Sequence, residues 1–312
     1  MAEAIRTEGL RRVFGAAVAV EGLSLSVEEG EIFGLVGPDG AGKTTVMRLL
    51  SGVLDPTDGD AWVMGRSVRA ETAAVQRDIG YMSQRFGLYP DLTVSENLRF
   101  YADLYGVSRR EREEKEPALL DFSGLGPFRR RLAGNLSGGM KQKLGLSCAL
   151  IHTPRVLFLD EPTNGVDPVS RREFWDILYR LLKEKVTIFV STAYLDEAER
   201  FRRLALLHEG RLLASGTPDE VKRLHAGAIL EVRCADPKRG RDVLEGRFPG
   251  ADVGLFGDRI HTGSRGASLS ADAVGEALAG AGIAVLGIRS VAPGLEDVFV
   301  SVLSRRREGS KE

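Results

Sequence analysis

The chain has 312 residues, 43% of them apolar, which is enough for one large domain and a small one. Lys and Arg total 43 against 44 Asp and Glu, and this net charge of −1 argues against bulk binding to nucleic acid or anionic lipid. The two cysteines, Cys148 and Cys234, are too far apart for a disulfide framework or zinc site, and no apolar run approaches the roughly 18 residues of a spanning helix. The opening "MAEAIRTEGL" has no apolar secretory core, so a reducing cytosol is the expected compartment.

Residues 5 to 36 alternate short β-like runs with turns, and "AVAVEGLSLSVEEGEIFGLVG" carries the period-2 pattern of strands around a Glu-Gly turn. "GPDGAGKTT", residues 37 to 45, comes next, and "VMRLLSG" then reads as a helix ending at Gly52. The nine residues satisfy G-x-x-x-x-G-K-[ST] in the required context, a strand before and a helix after. Glycines let backbone N–H groups curl around phosphates, and the helix N-terminus adds positive potential. Lys43 is expected to reach the β- and γ-phosphates, and the Thr44 hydroxyl to ligate Mg²⁺. A plain glycine turn would need neither flanking element.

From about residue 91 to 152 the pattern turns helical. Thr93 and Glu96 have capping-box spacing, and "SRREREEKEPALLDF" reads as a charged surface helix broken near Pro117. In "NLSGGMKQKLGLSCAL", Ser137 can cap a helix whose Met140, Leu144, Cys148 and Ile151 form an apolar stripe. The Ser-Gly-Gly before that helix is either a simple cap or a second anion site; two phosphate-binding helix ends would favour a head-to-tail dimer. "VLFLDEP" is an apolar strand ending in Asp160 and Glu161, one carboxylate to hold Mg²⁺ through water and one to orient or deprotonate the attacking water. "PVSRREFWDILYRLLKEK", with Pro168 in its first turn, separates that strand from "VTIFVST", so strand–helix–strand alternation predicts a mostly parallel sheet. After about residue 224 the composition shifts, and the runs read strand, helix, strand, strand, helix, strand, helix. The polar tail "SRRREGSKE" is expected to be disordered.

The set resembles the ATP-binding subunits of ABC transporters across residues 4 to 222, in the family's motif order. "GPDGAGKTT" looks like their Walker A motif (Gly37, Pro38, Asp39, Gly40, Ala41, Gly42, Lys43, Thr44, Thr45), "LSGGMKQ" their signature (Ser137, Gly138, Gly139) and "VLFLDEP" their Walker B. Gln84 looks like their Q-loop glutamine, Asp167 their D-loop aspartate and Phe14 their adenine-stacking aromatic. The ending "PGLEDVFVSVL" resembles the extension of ABC-2-type (drug- and polysaccharide-exporter-like) ATPases. Within these, the chain looks most like the N-terminal half of bacterial proteins that fuse two ATPase units.

The resemblance implies an α/β P-loop NTPase with an antiparallel β subdomain and a helical subdomain (about 91–152), together making an ATP-binding domain over 4–224. A small α+β module (226–304) and a polar tail (305–312) follow. It further implies ATP and Mg²⁺ as cofactors, Glu161 and Gln84 in catalysis, and Thr44, Gln84 and Asp160 around the metal. The partners would be a second ATPase unit, identical or tandem, and an ABC-2-type membrane permease. That permease would hold the chain on the inner face of the cell membrane, with Phe86, Leu88 and Tyr89 as candidates for receiving one of its helices.

Two positions depart from the family pattern. Ala193 stands where active members carry a histidine that contacts the γ-phosphate, and losing such a donor costs of order 10²- to 10³-fold in turnover unless a neighbouring side chain or water compensates. Asp39 stands where asparagine is commoner and places a carboxylate near phosphates. Three readings stay open at this point: an exporter ATPase, a catalytically weak regulatory half of an asymmetric pair, and a soluble ABC ATPase outside transport. The last would want tandem ATPase domains with basic linkers or a long coiled-coil insertion, and the sequence has neither.

Overall fold

The structure is a computed structural model that describes residues 2–309 apart from 85, 86, 226, 228 and 265–268. Phe86, one of the residues expected to meet a permease, lies outside the described residues. The chain divides into two compact units, Met1–Ser215 and Gly216–Glu312.

The first unit begins with β1 (Glu3–Phe14), β2 (Ala17–Glu28), β3 (Ile32–Val36), α1 (Lys43–Leu50), β4 (Asp58–Val63), β5 (Arg66–Ser67), α2 (Thr72–Asp78) and β6 (Ile79–Met82). It continues with α3 (Val94–Leu104), α4 (Arg109–Ser123), α5 (Gly138–Leu150), β7 (Val156–Asp160), α6 (Pro168–Lys183), β8 (Thr187–Thr192), α7 (Leu195–Ala198), β9 (Arg203–His208) and β10 (Arg211–Gly216). The apolar runs of β3, β7 and β8 are buried at every residue, as strands covered on both faces must be. They lie in a six-stranded sheet of order β10-β9-β3-β8-β7-β6, in which β9, β3, β8, β7 and β6 run parallel. Phe189 on β8 stacks on Phe33 of β3 at 5.5 Å and meets Phe158 of β7 edge-on at 5.8 Å, which ties the three central strands together. A second sheet, β2-β1-β4-β5, is antiparallel throughout.

The helical part is built on a small core of Val94, Leu98, Leu120, Leu136, Leu144 and Cys148 from α3, α4, α5 and their connections. Both expected helix starts carry full capping boxes, Thr93 with Glu96 and Ser108 with Glu111. The expected break at Pro117 does not occur: α4 runs unbroken through it. Pro117 and Glu113, whose carbonyl the proline leaves without a helical donor, are both exposed, so water can satisfy that carbonyl. Buried Asn97 donates to the carbonyls of Tyr89, Leu92 and Thr93 and accepts from the Tyr89 N–H, all within 3.2 Å, and so fixes the turn from Tyr89 to Thr93.

The second unit contains α8 (Pro218–Lys222), β11 (Ile229–Cys234), α9 (Pro237–Arg247), β12 (Ala251–Phe256), β13 (Arg259–Ser264), α10 (Ala271–Gly280), β14 (Val285–Val291) and α11 (Leu295–Gly309). The division falls ahead of the compositional shift because α8 packs on α11. The helix α11 reaches Gly309, into the tail expected to be disordered, because Arg and Glu are good helix formers. The sheet, of order β12-β13-β11-β14, is antiparallel. Along β11, Leu230, Val232 and Cys234 point into a core with Leu244 of α9 and Val274 and Leu278 of α10.

The intervening Glu231 faces the other way, where its carboxylate takes Arg289 at 2.7 Å and Arg259 at 3.0 Å. The hydrogen bond from Arg289, reinforced by Arg259, lowers its pKa to about 2. His261, its partner across β13, donates through Nδ1 to buried Asp297 at 2.8 Å, and that bond raises the imidazole's pKa. Because the folded state binds this proton more tightly, the stabilisation is complete below about pH 6.5 and disappears as pH rises through the raised value. In the full chain, the thermal midpoint of the transition that exposes the second unit should therefore fall as pH rises above about 6.5. His261→Gln should flatten that dependence; a wild-type transition insensitive to pH would contradict this account.

Candidate active site

The parallel strands bring their C-terminal ends to one edge of the six-stranded sheet, where open α/β sheets bind ligands. β3 runs into Gly37, β6 leads to Gln84, β7 ends at Asp160 and β8 at Thr192. A cleft of about 550 Å³ opens there, and its lining includes Asp39, Lys43, Thr44, Thr45, Gln84 and Glu161. Gly40 and Gly42 complete the loop's inner wall. Gly42 has φ of 102°, and a Cβ there would stand 2.4 Å from the Ala19 carbonyl oxygen, so only glycine fits. The Gly37 N–H donates to the Thr192 carbonyl at 3.1 Å and the Ala41 N–H to Pro38 at 3.1 Å, which closes the loop from behind.

Lys43 is almost wholly buried. Its ammonium donates to the carbonyls of Gly37 at 2.8 Å and Pro38 at 3.0 Å and pairs with Oε1 of Glu161 at 3.0 Å. Oε2 of Glu161 accepts from Gln84 Nε2 at 2.7 Å and from Asn164 Nδ2 at 3.1 Å. Glu161 has φ of 49°, a sparsely populated conformation for a residue with a side chain. Its N–H is held by the carbonyl and hydroxyl oxygens of Ser191, at 3.1 and 3.0 Å.

Asp160 is buried, and its Oδ1 accepts the Ser191 hydroxyl at 2.6 Å. Its Oδ2 is buried without a hydrogen-bond partner among the described residues. A buried orphan carboxylate oxygen beside a Thr44-lined cleft fits a hydrated divalent cation. Among the described residues no group of three or more His, Cys, Asp or Glu could hold a metal alone, so phosphate oxygens would complete such a shell. Burial, aided by the charge of Asp160, pushes the nearby Tyr81 hydroxyl up to about 12 and keeps it neutral.

Phe14, Ser137, Gly138, Gly139, Asp167, Leu88 and Tyr89 lie outside the cleft lining. Phe14 stands exposed at the end of β1 with the Arg12 guanidinium 4.6 Å from its ring centroid, while Val18 and Ala19 supply the wall. Ser137 and Gly138 are exposed at the start of α5, where the Ser137 hydroxyl accepts the Met140 N–H at 3.3 Å. A Cβ on Gly139 would meet Ser170 Cβ at 2.4 Å, so the glycine lets α5 approach α6. Asp167 caps α6, accepting from Val169 at 3.1 Å and Ser170 at 3.0 Å, and the Ser170 hydrogen bond lowers its pKa. Asp39 is exposed, so water screens its charge beside the phosphate loop. Leu88 packs against the helical core and Tyr89 is exposed against Phe100 at 4.5 Å. Among the described residues no histidine lines the cleft.

Sequence reasoning missed Ser191, Asn164, Tyr194 and Glu197, which hold the two key carboxylates or the chain around them. Only their closeness to Glu161 and Ala193 in the sequence could have flagged them.

The family described as ABC transporter matches residues 20–164. The chain is 38% identical to the daunorubicin/doxorubicin resistance ATP-binding protein DrrA of Streptomyces peucetius over 86% of this chain and 80% of that protein. It belongs to the ABC transporter ATP-binding proteins. It is also 33% identical to the bacitracin transport ATP-binding protein BcrA of Bacillus licheniformis, over 97% of this chain and 98% of the other. To the probable multidrug ABC transporter ATP-binding protein YbhF of Escherichia coli (strain K12) it is 52% identical over 67% of its length, and spans 36% of that longer protein. A solved ATP-binding subunit of an ABC transporter superposes with a TM-score of 0.64 at 30% identity, covering 71% of this chain and 92% of that one. An ATP-binding cassette in its ADP conformation superposes equally well, with a TM-score of 0.64 at 26% identity over 70% and 93% of the two chains.

Ser191→Ala in this ABC ATP-binding protein should leave Asp160 Oδ1 without its donor and take from the Glu161 N–H one of its two acceptors. The expected loss is about 1–3 kcal/mol of stability, read as a lower denaturant midpoint with an unchanged slope. A midpoint equal to wild type would show that the Ser191 hydroxyl does not hold these two residues.

Proposed function

We propose that this chain is the energy-coupling subunit of an exporter, which binds Mg-ATP in its cleft and hydrolyses it. The observation that carries this reading is the placement of Glu161: one oxygen on Lys43 at 3.0 Å, the other on Gln84 at 2.7 Å, next to an Asp160 with an unpaired buried oxygen. Lys43 can exchange the Glu161 oxygen for phosphate oxygens, which releases the carboxylate to orient or deprotonate water. Bound with the nucleotide, Mg²⁺ supplies charge neutralisation on the phosphate oxygens. Thr44, Gln84 and Asp160 would hold it.

Ser137, Gly138 and Asp167 are exposed away from the cleft, which supports a head-to-tail pair in which they complete a second unit's nucleotide site. Two relatives carry drug-resistance and transport names, and a third a multidrug transporter name; these support an ABC-2-type permease as the membrane partner. Among the described residues no helix is long and apolar enough to cross a membrane. Ala193 favours a second reading, a site that binds ATP and turns it over slowly beside a more competent one.

Steady-state phosphate release by the full chain separates the two readings. Glu161→Gln keeps the shape but removes the charge that competes for Lys43, so it should bind Mg-ATP at least as tightly and release no phosphate. Wild-type turnover that vanishes in Glu161→Gln supports the first reading. Tight binding with negligible wild-type turnover, raised roughly 10²-fold or more by Ala193→His, supports the second. If the wild type neither binds nor hydrolyses ATP, both fail.

A further inference from the structure

At the exit of β8 the methyl group of Ala193 offers no hydrogen-bond donor to the cleft, yet the next residue does reach Glu161 through one intermediary. The Tyr194 hydroxyl donates to Asn164 Oδ1 at 3.3 Å, and Asn164 Nδ2 donates to Glu161 Oε2 at 3.1 Å. We propose that Asn164 and Tyr194 are positioning residues for Glu161, a relay that orients its carboxylate during ATP hydrolysis; the proposal rests on the ATPase reading above.

The order of donors in the relay is forced by chemistry. An ionised carboxylate only accepts, so Asn164 must present its NH₂ to Glu161. That leaves the amide oxygen, also only an acceptor, facing Tyr194, whose hydroxyl must therefore donate. Without the hydroxyl the amide is free to turn its oxygen toward Glu161, where two acceptors repel. Tyr194 thus selects the amide orientation that holds the carboxylate, and it does so without touching Glu161 itself.

Tyr194 is in turn held firmly. Its N–H donates to Thr192 Oγ1 at 3.0 Å, and the Arg171 guanidinium lies 4.7 Å from its ring centroid. Both supports converge on Glu197, which is 1% exposed. Thr192 donates to its Oε2 at 2.8 Å, and Arg171 approaches its Oε1 at 3.8 Å. Thr163, next to Asn164 in the chain, donates to the same Oε1 at 2.6 Å. One buried carboxylate therefore anchors both ends of the relay. Lys43 and Gln84 also hold Glu161 but both face the nucleotide cleft, whereas Asn164 and Tyr194 do not line it. When Lys43 turns to phosphate, the relay keeps its grip.

The test is a double-mutant cycle on the full chain, with kcat and KM for Mg-ATP measured for wild type, Tyr194→Phe, Asn164→Ala and the double variant. Tyr194→Phe keeps the ring under Arg171, so folding and nucleotide affinity should be retained. Expected is a fall in kcat of about three- to tenfold for Tyr194→Phe, with KM within about twofold of wild type. In the Asn164→Ala background, Tyr194→Phe should have no further effect. The relay is overturned if Tyr194→Phe leaves kcat unchanged, if it acts through KM alone, or if it costs the same factor with and without Asn164. Absence of any phosphate release that depends on Glu161 would overturn the ATPase reading, and the relay with it.

Discussion

The ion pair between Lys43 and Glu161 joins the loop after β3 to the end of β7 across the intervening β8. Both groups are nearly dry, 3% and 7% exposed on their side chains. Buried charges of this kind gain little net stability, because desolvation offsets attraction, so each must have a full set of partners. Lys43 spends its other donors on two loop carbonyls, which bends the phosphate loop around it. Glu161 takes three partners, the Lys43 ammonium and the amides of Gln84 and Asn164. The strands must therefore keep their register for the pair to exist, and the packed rings of Phe33, Phe189 and Phe158 hold that register from inside the sheet. The pair contributes placement rather than stability, and it is built from groups that a triphosphate can replace.

Holding Glu161 in a left-handed conformation costs of order 1–3 kcal/mol, which the surroundings must over-determine. They do so from two sides. Ser191 pins the Glu161 N–H and the Asp160 carboxylate together, so that the two acidic residues move as one. Glu197 ties Thr163 beyond the strained residue to Thr192 at the end of β8 and to Trp175 on α6, the last at 3.3 Å. Both devices link β7 to β8, the same neighbours that the sheet pairs through the backbone. Strand pairing brings the ends together, and the side-chain bonds then set the angle at which the carboxylates leave.

What the sequence made legible is what depends on local spacing. The phosphate loop could be read because one short segment supplies the glycines, the lysine and the threonine, with a strand before and a helix after. Thr93, Ser137 and Pro168 could be read because a cap lies within a turn of the helix it caps. The continuously apolar runs at β7 and β8 announced buried parallel strands. Asn164, Tyr194 and Glu197 could not be read, because the bonds that give them a role run from Asn164 to Tyr194 and from Thr163 to Glu197, 30 and 34 residues apart in the chain. Pro117 misled for the opposite reason: a local rule was applied where solvent exposure removes its force. Ala193 was conspicuous by itself, but the neighbours that reach around it became visible only when β7 and β8 lay side by side.

The two units treat buried charge differently, and the difference separates a site from a brace. In the second unit Glu231 sits inside a strand, opposite His261 on one neighbour and Arg289 on the other, so its partners are fixed by strand register. Breaking one of those pairs would leave the others in place and expose no new ligand position. In the first unit Lys43, Asp160 and Glu161 sit where strands and loops meet, and one oxygen of Asp160 has no hydrogen-bond partner among the described residues. A charge inside a ladder is committed, because the backbone that carries it cannot turn without breaking the sheet. A charge at a strand end is held by side chains, and side-chain bonds can be exchanged. Placing Glu161 one residue past the last paired residue of β7 gives it both properties, a rigid base and exchangeable partners.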